Sequence, residues 1–286
     1  MASKIRLFAD DCLLYAAIKS PEDIETIQSD LNNINKWCNE WQMVLNYDKC
    51  EVMHINDGKD MVHHDFKLGS HTLLYTDYYK YLGVYINKNL KWDKHIDEIV
   101  KKGKRTLYVV RKVLRKAPKN IKQLAYFSLV RPTVEYASSV WDPSNVGEIH
   151  KLEMIQRASA RFCTNRYKRI DSATGKVDSV TDMLQSLEWN SLASRRKANR
   201  LALFSAVYTS NQALTDLSAQ LCPANYQGRH DHDKKVAEIR CNKNVYHYSF
   251  LPKSIREWNT LPTDTFVDLE SSDTSKMREK LLRILQ

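Results

Sequence analysis

At 286 residues, with 43% hydrophobic and 27% charged side chains, the chain has the composition of a globular protein and the length for two packed units. No stretch approaches the roughly 18 consecutive apolar residues of a membrane helix, and acids stand at Asp10 and Asp11 where a signal peptide has its apolar core. A membrane partner is therefore not expected. The net charge is +10, and its location matters more than its size; six cysteines with no CxxC pairing read as reduced, mostly structural thiols of an intracellular protein, nuclear or cytoplasmic.

The first predicted element is a β-hairpin. Ile5-Arg6-Leu7-Phe8 and Cys12-Leu13-Leu14-Tyr15 are strand-length runs suited to a buried sheet, and Asp10 and Asp11 lie in the turn between them. Two adjacent carboxylates repel unless a cation compensates. Two readings are open: an ordinary turn in which aspartate occurs twice, or a Mg²⁺ site of the kind that two-metal phosphoryl transfer uses.

Ser20-Pro21-Glu22-Asp23 supplies an N-cap, a proline at the first helical position and first-turn acids. Ile24, Ile27, Leu31, Ile34, Cys38 and Trp41 then mark one apolar face of a helix that should lie across a sheet. Short strands are predicted at 43–45, 50–55, 65–68, 71–75 and 79–86, with turns at Asp57-Gly58 and Gly69-Ser70.

From Trp92 the pattern is helical, with Ile96, Ile99, Gly103, Leu107, Val110 and Leu114 as the apolar stripe. Further helices are predicted at 121–130, 149–162, 180–187 and 192–208, with breaks at Pro118, Pro132 and Pro143. The polar stretch 209–244 reads as a flexible region, followed by an apolar-anchored piece at 249–262 and a short terminal helix. Cys222, His230, His232 and Cys241 fit none of the usual zinc spacings.

Charge is concentrated in one segment. Between Ile99 and Val134 stand eleven basic residues and no acid: Lys101, Lys102, Lys104, Arg105, Arg111, Lys112, Arg115, Lys116, Lys119, Lys122 and Arg131. A solvated helix face usually intersperses acids, so this run is read as an electrostatic footprint for nucleic acid.

Four motifs now stand in order: Leu7-Phe8-Ala9-Asp10-Asp11, Leu45-Asn46-Tyr47-Asp48-Lys49, Tyr81-Leu82-Gly83-Val84, and Leu129-Val130-Arg131-Pro132 with Glu135-Tyr136-Ala137-Ser138 and Trp141. They resemble the FADD box, the LNxxK motif, the YLGV primer grip and the thumb region of reverse transcriptases from non-LTR retrotransposons of the LINE-like, jockey and CR1 type. The resemblance implies an α+β fold: a partial palm at 1–90, an antiparallel sheet with a packed helix, then a basic helical thumb at 91–209 and a C-terminal region at 210–286.

It also implies roles. Asp10 and Asp11 would hold the catalytic Mg²⁺, Lys49 would stand near the departing pyrophosphate, and Tyr81, Leu82, Gly83 and Val84 would hold the primer end. Lys101, Lys102, Lys104, Arg105, Arg111, Lys112, Arg115 and Lys116 would track the phosphates of an RNA template and DNA primer, or of an RNA/DNA duplex. In the family a further catalytic aspartate comes from a strand well before the FADD box, and only nine residues precede Asp10. Asp48, Asp65 and Asp77 do not resemble its motif. The expectation is a fragment of an RNA-directed DNA polymerase, inactive alone and holding Mg²⁺ weakly or not at all; the alternative is a non-catalytic RNA or RNA/DNA binding module derived from a mobile element.

Overall fold

The computed structural model describes residues 3–55, 64–167, 179–209, 215–226, 228, 231–266 and 273–285. The chain divides into two compact units, Met1–Lys91 and Trp92–Gln286. The class is α+β: small, mainly antiparallel sheets in the first unit, helices in the second.

Unit 1 opens with the hairpin β1 (Lys4–Phe8) and β2 (Asp11–Tyr15), in which Phe8 pairs with Asp11 across a two-residue loop. Ala9 takes a positive φ of 52° there, the condition of a primed hairpin turn at its first loop position. Helix α1 (Pro21–Glu40) starts as expected: Asp23 Oδ2 accepts the backbone N–H of Ser20 at 2.9 Å and of Lys19 at 2.8 Å. Then come β3 (Glu51–Val52), β4 (Lys67–Leu68), β5 (His71–Thr72), β6 (Leu74–Tyr75), β7 (Tyr78–Tyr81) and β8 (Val84–Asn87).

Ile24 of α1 packs with Phe66, Leu68 and Leu73, flanked by Leu31, Tyr47 and Val52. Gln28 fixes the helix to β4, donating to the Lys67 carbonyl (2.8 Å) and accepting the Lys67 N–H (2.9 Å).

The strands do not join into one sheet. Among the described residues they form four two-stranded ribbons, three antiparallel and one, β3 with β6, parallel. Residues 43–45 are not strand, and the predicted Asp57-Gly58 turn lies outside the described residues. The hairpin flanks, read as buried strand, are instead open: Leu7 is 71% and Phe8 62% exposed. A ribbon of two strands offers only one neighbour to each strand, so its apolar side chains stay in water unless another layer covers them.

In unit 2, α2 (Asp93–Val113) packs on α4 (Arg131–Glu135) and α6 (Val146–Thr164), burying Ile96, Val100, Gly103, Leu107 and Val110 as one stripe. Between α2 and α6 run α3 (Lys119–Ala125), a π-helical turn at Tyr126–Val130, α4, and α5 (Ser138–Trp141). The break expected at Pro132 does not occur. Proline lacks an N–H and clashes with the carbonyl four residues back, and the wider π turn just before it makes room.

Helices α7 (Val180–Ser186), α8 (Leu192–Tyr208), α9 (Thr215–Ser218), α10 (Asn244–His247), α11 (Phe250–Asn259) and α12 (Thr274–Ile284) complete the unit. Residues 210–214, 227, 229 and 230, within the stretch read as flexible, lie outside the described residues. The C-terminal helices share the core of α8 and do not build a separate one. Phe204 and Leu201 of α8 pack with Leu251, Ile255 and Trp258 of α11 and with Met277 and Leu281 of α12. Trp258-Asn259 clasps the preceding segment: Trp258 Nε1 donates to the Lys234 carbonyl (2.8 Å), and Asn259 exchanges two hydrogen bonds with the backbone of Val236 (2.9 and 2.8 Å).

Candidate nucleic-acid interface

The acidic tip is exposed. Asp10 is the second loop residue of the hairpin and Asp11 the first of β2, and both side chains face water. Lys49 closes the 3₁₀ turn Tyr47–Lys49 and is exposed as well. Tyr79 of β7 is within electrostatic range of residues in or beside three of the motifs. Its phenol is raised by burial first, then by the charges of Asp11 and Glu51 and by Cys50 and Tyr81. Glu51, a carboxylate outside the four motifs, thus acts on the same phenol as Asp11; only its place two residues past Lys49 hints at this in the sequence.

Mg²⁺ takes oxygen ligands in near-octahedral geometry and usually combines one or two carboxylates with substrate phosphates. Among the described residues no group of three or more His, Cys, Asp or Glu is placed to hold a metal ion.

Tyr81-Leu82-Gly83-Val84 is a tight hairpin loop. Tyr81 pairs with Val84, and both loop residues have positive φ, 45° at Leu82 and 83° at Gly83, as a type I′ turn demands. Glycine at the second position meets that demand without strain. Val84 is buried and Gly83 exposed, so the segment is a structural turn whose tip reaches solvent.

The basic run is sorted by the fold. Lys101, Lys102, Lys104, Arg105, Arg111, Lys112, Arg115 and Lys116 are all exposed, as is Lys119. Lys101, Arg105, Tyr108 and Lys112, spaced by four, three and four residues, form a stripe about 16 Å long at 1.5 Å per residue on the side of α2 away from its buried stripe. Tyr108 is 67% exposed in the middle of it, and Arg111 lies 5.5 Å from the ring centre of Tyr167. This pairing of cations with an open aromatic ring suits phosphates and base faces.

Two members of the run do other work. Lys122 is buried, its Nζ donating to Asn165 Oδ1 (2.6 Å) and lying 4.8 Å from the Phe162 ring centre. Arg131 is half-buried over Phe127 and paired with Glu135.

Arg195, Arg196 and Arg200 of α8 also turn inward. Asp142 accepts from Arg196 Nε (2.9 Å), from Arg200 and from Lys253 Nζ (2.7 Å), and Arg200 reaches Glu257 as well. Arg196 is fully buried. Burial works against the charge of Asp142, yet Arg200, Lys253 and Arg196 hold its carboxyl below the ordinary aspartate value. No local pattern marks Asp142 as a hub, since its partners lie 54 to 111 residues away.

No family model, curated protein or solved structure matches the chain.

Proposed function

We propose that the chain is the C-terminal part of a non-LTR retrotransposon reverse transcriptase and that, by itself, it grips an RNA template and DNA primer duplex without extending it. The observation that carries the reading is the acid-free run from Ile99 to Val134, in which all eight cations singled out for phosphate contact stand in solvent, six on α2 and two just past its end, with Tyr108 exposed among them. Lysine and arginine on such a face neutralise phosphates and release condensed counterions, which is the main source of sequence-independent affinity.

In the complete polymerase, nucleotidyl transfer would use Mg²⁺ to activate the primer hydroxyl and steady the leaving pyrophosphate. In this proposal Asp10 and Asp11 contribute two of the ligands, Lys49 supplies positive charge near the leaving group, and Tyr81 to Val84 support the primer end. Among the described residues the β1–β2 ribbon pairs with no third strand, so its edges stay open to partner strands.

Primer extension on an RNA template with Mg²⁺ and deoxynucleotides tests it, with duplex binding followed in the same samples. The wild-type chain and Asp10→Asn should bind alike and extend nothing. Extension by the wild type that Asp10→Asn abolishes would contradict the claim of inactivity, and absence of duplex binding would contradict the grip.

A further inference from the structure

Arg131 of α4 and Arg195 of α8 pair with one carboxylate, Glu135, and Arg278 of α12 lies within range of the charges of Arg195 and Glu135. Arg195 holds Glu135 with both Nε and Nη2, the latter 2.9 Å from Oε2. Arg131 Nε lies 3.9 Å from the same oxygen, with its guanidinium carbon 4.3 Å from the Phe127 ring centre. Arg278 gives its Nε to the side-chain oxygen of Asn199.

Three guanidiniums against one paired carboxylate leave two positive charges in partly buried surroundings. Glu153, which accepts the Ala193 N–H at 2.8 Å, and the exposed Glu279 are the further acids in range, and neither forms an ion pair with the three among the described residues. Burial first, then the charge of Arg195, pushes both Arg131 and Arg278 below the ordinary arginine value. Crowded buried cations of this kind destabilise a fold unless an anion joins them.

A second observation points to the same place. Tyr126 opens the π-helical turn directly before Arg131, and such turns recur at functional sites. Its side chain is 1% exposed, stacked on Trp189 at 4.3 Å, and its hydroxyl has no hydrogen-bond partner among the described residues. Arg131, Arg195 and Glu135 are its electrostatic neighbours. A buried hydroxyl left unpaired costs about 1–3 kcal/mol, so an oxygen-bearing ligand is the chemical complement.

We propose that Arg131, Arg195, Arg278 and the Tyr126 hydroxyl form a binding site for a phosphate dianion. A phosphate monoester carries about −1.5 to −2 near pH 7, which matches the uncompensated charge of two, whereas a backbone phosphodiester carries one charge. Planar guanidinium forks meet two phosphate oxygens at once, and the phenol supplies a further donor. Two sources present this chemistry: free orthophosphate, or the 5′-phosphate that ends a nucleic-acid strand. The site stands on the geometry of unit 2 and does not rest on the reading of α2.

Titration calorimetry on the full chain at fixed ionic strength tests it with three probes: orthophosphate, a short single strand with a 5′-phosphate, and the same strand with a 5′-hydroxyl. Saturable one-to-one binding of orthophosphate, or a preference of about tenfold or more for the phosphorylated strand, is expected. Preference for the phosphorylated strand identifies a strand end; orthophosphate binding without it identifies free phosphate.

Tyr126→Phe keeps the ring stack and should weaken whichever probe binds by about ten- to a hundredfold, as loss of a charge-assisted hydrogen bond does. Arg278→Lys should weaken it similarly by removing the fork. Should Arg278→Lys fail to fold, Tyr126→Phe decides. Replacing Lys101, Arg105 and Lys112 by Gln should weaken both strands alike and leave orthophosphate untouched. The proposal is overturned if orthophosphate shows no saturation by about 10 mM and the strands bind equally, or if Tyr126→Phe binds like the wild type.

Discussion

His95 faces the ring of Trp141 edge-on at 5.1 Å, is buried, and has its pKa lowered from 6.5 to about 4 by that burial. The folded protein therefore keeps it neutral where the unfolded chain already takes a proton. Its contribution to stability is full above pH 6.5 and is lost progressively as pH falls toward 4. His95→Phe keeps a ring and cannot titrate. The urea midpoint of the wild type should fall more across this window than that of the variant; equal falls would show that His95 is not held neutral by the fold. Asp142 works in a lower range, because its carboxyl is held below the ordinary value of 3.8. The stability it lends is present above about pH 3.8 and disappears below it. Asp142→Asn leaves Arg196, Arg200 and Lys253 facing one another and should cost about 3–5 kcal/mol in urea unfolding, the usual result of removing one member of a buried ion network. A loss under about 1 kcal/mol would show that the remaining charges find partners without it.

Among the elements, α2 depends on a small residue where it meets α4 and α6. A Cβ on Gly103 would lie 3.0 Å from Ile155 Cδ1 and 3.1 Å from Val134 Cγ1. Gly103→Ala sets a gain in helix propensity of about 1 kcal/mol against a comparable packing cost, so stability should change by less than about 1 kcal/mol. Gly103→Leu cannot be absorbed and should destabilise by about 2–4 kcal/mol, read from the urea midpoint. Retention of full stability by the leucine variant would mean that α2 does not sit this close to α6. Helix ends are legible in the sequence wherever local chemistry sets them: Ser20-Pro21 begins α1, and α8 has the bounds its pattern predicts, 192–208. The strands are less so. Apolar runs such as Leu7-Phe8 announce a hairpin correctly but not its exposure, because burial depends on neighbours that no short window contains. Pro132 misleads for the same reason, since a π turn in the residues just upstream decides whether a helix survives it.

At the scale of the molecule, the charge of +10 is not spread evenly, and the fold sorts it into two kinds. Arg196 and Arg200 of α8, like Lys122, are internal and tie helices together. Those from Lys101 to Lys119 remain in water. The outward set is legible in the sequence because an acid-free run is a local property. Lys122 sits in the same run and yet points inward, because its partner Asn165 lies 43 residues away. The most direct test of the outward set is the salt dependence of affinity for an RNA/DNA duplex, measured for the wild type and for a variant with Lys101, Arg105 and Lys112 replaced by Gln. The logarithm of the association constant should fall linearly with the logarithm of salt concentration, and the slope should shrink by about 0.7–0.9 for each phosphate contact removed. An affinity indifferent to salt, or a slope identical in the two proteins, would contradict the assignment of α2 to phosphate binding.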